Sequence, residues 1–213
     1  MKLNMDSGIM RALAKITDIM LLQLMFILTS LPVFTVGAGL AALFSVTRKL
    51  KHDSITSTIR SYFAEFKANF KQGTIAWLLF LAAAAVLTFD ILYYTGQERT
   101  GLNAVMLIAA YVLAIVLYFI MMYAFPLMAW FENPVRLHLK NALLMSIGHF
   151  LTTVLVTVVY GLFVLLGIFV LPLFFFVGFS GAIYVSGKLI SRALAKHSKE
   201  LEPEIDENDA RGD

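Results

Sequence analysis

The chain has 213 residues, 60% of them hydrophobic and 15% charged, with a net charge of +3 at pH 7 and a mean hydropathy of +0.81. A soluble domain of this length cannot hide that much apolar surface, so the composition excludes a water-soluble globular protein and predicts an integral membrane protein. With no cysteine in the chain, disulfides, thiol catalysis and cysteine-ligated metal are excluded as well.

In chain order, the first apolar run predicts a helix over about 9–30. It begins too late and lasts too long for a cleavable signal peptide, so it is expected to stay as an anchor. The segment FILTSLPVFTVGAGLAALF, residues 26–44, then sets Pro32 into an apolar stretch. Proline has no N–H to donate, which predicts a hinge at Leu31–Pro32 and a second helix over about 34–50. At 1.5 Å per residue that second helix barely spans a bilayer core of about 30 Å, and a re-entrant course is the alternative.

Residues 54–72, SITSTIRSYFAEFKANFKQ, are too polar to span, yet Ile55, Ile59, Tyr62, Phe63, Phe66 and Phe70 recur at helical spacing. Arg60, Lys67 and Lys71 lie off that stripe or at its edge. This pattern predicts an amphipathic helix over about 54–70, lying on the membrane surface with its aromatics at the acyl boundary. The same face, formed by Phe63, Phe66, Lys67, Asn69, Phe70 and Lys71, is a candidate docking surface for a partner.

Further helices are expected over about 74–95, 102–130, 141–170 and 173–192. TGQERTG links the first two of these, Pro126 is placed to kink the helix that follows, and Leu171–Pro172 repeats the earlier hinge. From residue 193 the chain reads as an acidic tail, too polar to pack. The expected fold is thus all-α: one polytopic membrane helix bundle of about six helical segments, with two LP-broken hairpins and one interfacial helix.

Positive charge orients the bundle, because cytoplasmic loops collect Lys and Arg. If residues 9–50 form a hairpin, Lys2, Arg11 and Lys15 join Arg48, Lys49, Lys51, Arg60, Lys67 and Lys71 on one side, and only Arg99 of the 17 basic residues is left opposite. A single crossing strands the first three with Arg99. The hairpin is preferred, which puts both termini in the cytoplasm. LPVFTVGAGLAALFSVTRKL at 31–50 also aligns without a gap to LPLFFFVGFSGAIYVSGKLI at 171–190, so both hairpins run the same way, through a true repeat or through the general likeness of apolar segments.

Candidate ligand positions begin with charge at membrane depth, because Asp at a helix centre costs about 2.5–3.5 kcal/mol on insertion scales. Asp90, beside Tyr93 and Tyr94 near a helix end, either reaches interfacial water or contacts a sugar or cation. Asp18 reads as solvated or paired with Lys15. His149, near Thr152 and Thr153, either titrates and binds substrate or bonds a neighbouring helix. Thr35 and Gly37 open the second helix, where free amides can hold a polar group; a capped turn is the other reading. Small residues there and at Gly178, Gly181 and Ala182 permit close helix contact within the bundle or between copies.

The runs SLPVFTVGAGLAALFSVTRKL, FAEFKANFKQGTIAWL, FPLMAWFE and LKNALLMSI together resemble the YesL-like family of small bacterial membrane proteins of unknown function. The likeness covers nearly the whole chain. It is most specific at Leu31, Pro32, Val33, Thr35 and Gly37 and from Phe63 to Gln72; nothing is carried over to the acidic tail or to FENPVRLHLKN. The resemblance implies a Gram-positive bacterial setting and an association with genes for carbohydrate uptake by ABC transporters and for polysaccharide breakdown. It implies no activity.

No enzyme is expected. At SGKLI, five residues separate Gly181 from Gly187 and Leu189 replaces the hydroxyl residue, which breaks the phosphate-loop pattern, and no HExxH, GxSxG or paired-carboxylate cluster occurs. Catalytic residues, metal ligands, cofactors and nucleic-acid binding are therefore not expected, and a terminal RGD facing the cytoplasm serves no adhesion. The expected function is a non-enzymatic accessory or regulatory component of carbohydrate uptake in the bacterial cytoplasmic membrane, with the lipid bilayer, sugar ABC permease subunits and further copies of the chain as candidate partners. A small secondary transporter or channel is the alternative, favoured by a water-filled cavity lined by Asp90, His149 and Thr35.

Overall fold

The computed structural model describes residues 8–51, 57–98, 100–169 and 171–196, and among them every regular element is helical. The elements are α1 (Gly8–Ser30), α2 (Val36–Lys51, entered through a 3-10 turn at Val33–Thr35), α3 (Thr58–Ala68), α4 (Phe70–Thr95), α5 (Gly101–Trp130), α6 (Val135–Gly148), α7 (Phe150–Phe169) and α8 (Leu171–Lys196). Five stretches among the described residues, Leu13–Ser30, Val33–Leu50, Phe70–Thr95, Gly101–Trp130 and Phe150–Ile168, are long and apolar enough to cross a membrane. The protein is an integral membrane helical bundle.

The first hairpin turns where the proline interrupts donation. α1 stops at Ser30, and Pro32 is extended at φ −76°, ψ 109°. The amide of Thr35 then donates to Pro32 O at 2.9 Å. Its hydroxyl lies 2.5 Å from Thr29 O and 2.6 Å from Pro32 O, within reach of both carbonyls at the end of α1 and in the turn.

The shortest membrane-length helix is the centre of the molecule. α2 packs against α1, α3, α4, α5 and α8, and Ala38, Ala41, Ala42, Leu43 and Val46 are fully buried along it. Its crossing with α4 is a backbone contact: a Cβ on Gly37 would sit 2.1 Å from Gly73 O, and a Cβ on Gly73 would sit 2.7 Å from Ala38 Cα. Only glycine fits at either position. One turn on, Trp77 Nε1 donates to Val33 O at 2.7 Å. α4 therefore runs antiparallel to α2, meets the turn at its own start, and continues over residues 78–95, about 27 Å of helix, with α5 returning beside it.

Two buried clusters meet on α2. One gathers Leu40, Phe80, Phe125, Leu127, Met145 and Ile190 from α2, α4, α5, α6 and α8. The other gathers Ile19, Leu22, Leu43, Val46, Tyr62 and Ile183 from α1, α2, α3 and α8. Between α1 and α8, Gln23 Oε1 accepts from the Ser180 amide at 2.8 Å and its hydroxyl at 3.0 Å, which satisfies a buried amide oxygen inside the bundle.

The structure corrects three boundaries. The single helix expected over 141–170 is two: α6 starts at Val135 behind Pro134, and the chain leaves helical geometry at His149, φ −118°, ψ 43°. No proline marks the break, and apolar residues at helical spacing stand on both sides of it, so the sequence reads through it as one helix. α8 continues to Lys196, past the expected end at 192, and residues 197–213 of the expected tail lie outside the described residues. α3 spans Thr58–Ala68, and residues 52–56, Ile55 among them, also lie outside. The apolar stripe on α3 divides in two. Tyr62 is fully buried and Phe66 packs against the same cluster, while Ile59, Phe63 and Phe70 stay 40–43% exposed.

Candidate functional site

At the end of the bundle where α2 and α3 finish, a polar pocket of about 450 Å³ opens between Ser45, Arg48, Lys49, Glu65, Asn69, Gln72 and the Trp130–Glu132 segment. Arg48 and Lys49 stand in the last turn of α2, where positive charge complements the helix dipole. Lys49 pairs with Glu65 across to α3. The Arg48 guanidinium lies 4.8 Å from the centre of the Trp130 ring, a cation–π geometry. Asn69, in the turn between α3 and α4, donates from its amide to Glu65 O at 3.0 Å. Two cations, two carboxylates and two side-chain amides thus surround one concave space, which suits a neutral or zwitterionic polar ligand better than a highly charged one.

A second cavity differs in chemistry. It is a cleft of about 590 Å³ between α5 and α7, floored by Leu40 and Phe44 of α2 and Phe179 of α8. Its polar atoms bond one another: Tyr118 donates to Thr157 at 3.3 Å, Thr157 to Thr153 O at 2.8 Å, and Ser186 to the Tyr160 oxygen at 3.5 Å.

The structure does not gather the sequence-derived ligand candidates. Asp90 is half-buried far out on α4. Thr35 is the buried cap of the first turn, and Gly37 lies against the backbone of Gly73. His149 forms the α6–α7 break, where its carbonyl accepts from the Thr153 amide at 2.9 Å. Neither Asp90, Thr35 nor His149 lines the polar pocket or the cleft. Asp18 accepts from the Thr58 hydroxyl at 2.5 Å, tying α1 to the start of α3.

Of the docking candidates, Phe63, Lys67, Phe70 and Lys71 are exposed, Phe66 packs inward and Asn69 lines the polar pocket. Among the hinge residues, Pro32 forms the first turn, Pro172 falls in the first turn of α8, and Pro126 is buried inside α5, which continues to Trp130. Of the polar-pocket residues, sequence reasoning singled out Asn69 and missed Ser45, Arg48, Lys49, Glu65, Gln72, Trp130 and Glu132. Arg48 had been weighed only as topological charge, and no spacing rule links residues 48, 65 and 132.

Two buried titratable groups outside the spanning segments mark how tightly this end is packed. Burial pushes the Tyr62 phenol up to about 12, against the opposing hydrogen bond to Thr29, whose hydroxyl is 2.8 Å from the Tyr62 oxygen. Burial lowers the His138 imidazole to about 4, opposed by the Asn133 backbone, so His138 is neutral at neutral pH.

No curated protein and no solved structure matches the chain. Residues 19–91, from α1 through most of α4, match the profile of a family described as protein of unknown function, DUF624. The matched stretch contains the first hairpin, the Gly37–Gly73 crossing, α3 and the pocket residues Ser45, Arg48, Lys49, Glu65, Asn69 and Gln72, so the likeness includes the packed end of the molecule.

Proposed function

We propose that this integral membrane protein is a non-enzymatic accessory or regulatory component that works beside an ABC-type carbohydrate uptake system, in a bacterial cytoplasmic membrane with both termini in the cytoplasm. The observation that carries the reading is the surface of α3. Tyr62 and Phe66 anchor that helix to α1 and α2, while Ile59 and Phe63 remain exposed on it beside the exposed basic residues Arg60 and Lys67, and exposed Phe70 and Lys71 at the start of α4 extend the same surface. A face held rigid by its own buried side loses little conformational freedom on binding, which favours association. The carbohydrate setting rests on the sequence resemblance. Transport of a polar solute is less well supported, because the large cleft is walled by apolar groups and by hydroxyls that already bond one another.

The test is purification of the tagged protein from its native membrane in mild detergent, followed by mass spectrometry of what accompanies it. Sugar-permease subunits are expected with the wild type and are expected to be lost from a folded Phe63→Ser, Phe70→Ser variant. Recovery of the protein alone, or of the same partners with the variant, contradicts the reading.

A further inference from the structure

On the other side of Phe44 from the apolar cleft lies a small second cavity of different character. Phe44 borders both. The smaller one, about 40 Å³, is lined by Thr47, Arg48, Pro126, Trp130, Gly187 and Ser191 among others. Thr47 is 2% exposed and its hydroxyl has no hydrogen-bond partner. Arg48, one turn past Phe44, lines the same cavity, with its guanidinium held over Trp130. A buried hydroxyl left unpaired is destabilising, so an acceptor at this point is stabilising. The two cavities together are amphipathic: an apolar trough about the size of small-molecule sites, roughly 300–1,000 Å³, with donors and positive charge at one end.

We propose that the cleft and the Thr47–Arg48 pocket form one binding site for a membrane phospholipid, with the phosphate on Thr47 and Arg48 and one acyl chain along α5 and α7. The occupant follows from three observations. α5 and α7 are long and apolar enough to cross a membrane, so the medium at the mouth of the cleft is lipid. The hydroxyls of Tyr118, Thr157 and Tyr160 are engaged with protein partners, so the walls offer a hydrocarbon chain its contacts and offer a sugar almost none. The donors at the Phe44 end complement an anionic headgroup, to which Arg is suited by its planar set of N–H groups. The site is independent of the α3 surface and of any partner bound there.

Gly161 makes the proposal testable with little risk to the fold. It lines the cleft, and a Cβ added there meets nothing within 4 Å, so Gly161→Leu occupies the trough without a clash. The experiment is native mass spectrometry of the detergent-purified full chain, with lipid extraction to identify what is retained. The wild type is expected to hold one phospholipid that survives removal of loosely bound lipid. Retention is expected to drop about tenfold in Gly161→Leu, since displaced methylenes each lose their burial. It is expected to be unchanged in Leu162→Trp, whose side chain faces outward at 54% exposure. Arg48→Gln is expected to lose any preference for anionic headgroups. Val164→Phe, a second substitution lining the cleft, gives the same reading should the first variant misfold. A wild-type protein that carries no lipid, one that fills the cleft by dimerising, or cleft-filling variants that keep the lipid would each overturn the proposal.

Discussion

α2 and the α4–α5 pair use apolar residues for opposite purposes. In α2, 67% of the membrane-length stretch is buried within the protein at a mean hydropathy of 1.3, whereas in α4 and in α5 only 11% is buried, at 2.3 and 2.7. Of the five membrane-length stretches, the central one is the least apolar and that of α5 the most. Lipid cannot satisfy a polar group, so the lipid-facing helices must be apolar all round. A helix enclosed by five others can carry Ser45 and Thr47, and it depends instead on small residues that let its neighbours approach. The two regions should therefore fail differently: α2 and its contacts by size, the α4–α5 pair by charge.

The largest effect is expected from size at the crossing. Gly73→Leu places a side chain where even a Cβ meets Ala38 backbone atoms at 2.7 Å. That overpacking should cost about 3 kcal/mol or more and leave little monodisperse protein by size-exclusion chromatography. At Gly101, where a Cβ meets nothing within 4 Å, substitution by Ala should leave the elution profile unchanged. A well-behaved Gly73→Leu protein would mean that α2 and α4 do not cross as described.

Charge should invert the pattern. Val112 is 53% exposed midway along α5. Val112→Lys is expected to cost about 2.5–3.5 kcal/mol of insertion, read as a loss of membrane-integrated protein in a pulse-labelling assay, while Val112→Ala should be nearly silent. Equal insertion of the lysine variant would argue that this face of α5 is covered by another chain.

A smaller effect, confined to the packed end, comes from His138. Its pKa in the folded protein is lowered by burial to about 4, from the ordinary 6.5. The unfolded chain therefore binds a proton between these values that the native protein does not, and stability contributed by the neutral ring is complete above about pH 6.5 and is lost as pH falls toward 4. Thermal melting in detergent should track this window with a slope no steeper than about 1.4 kcal/mol per pH unit. His138→Leu should flatten it. The smallest effect is Tyr62→Phe, which removes the bond to Thr29 and should cost about 1 kcal/mol.

What the sequence made legible follows the same division. The lipid-facing helices announce themselves through long apolar runs, and Pro32 marks the first turn because it lacks a donor. The all-helical membrane fold was readable on those grounds alone. The break at His149 was not, because no proline marks it and apolar residues at helical spacing continue on both sides of it. Nor was the inward course of Tyr62: a stripe at helical spacing shows that a helix has an apolar face, and α3 has apolar groups on two sides, one for the core and one left open. The polar pocket was the least readable feature. Arg48, Glu65 and Glu132 come from three separate segments, and their meeting depends on the glycine-to-glycine crossing, which brings α3 and the end of α5 to the same end of α2. Asp90 stood out in the sequence for its rarity at membrane depth, yet it lies outside both described cavities.

The account's central claim is that α3 offers a protein-binding face while the α4–α5 pair faces lipid. Site-specific photocrosslinking in the native membrane tests it most directly, with the probe at Ile59 or Phe63 on α3 and at Phe89 or Leu92 on α4, all exposed. Protein adducts from the α3 positions and lipid adducts alone from the α4 positions are the predicted result. Lipid adducts alone from α3, or a protein adduct from α4 with none from α3, would contradict it.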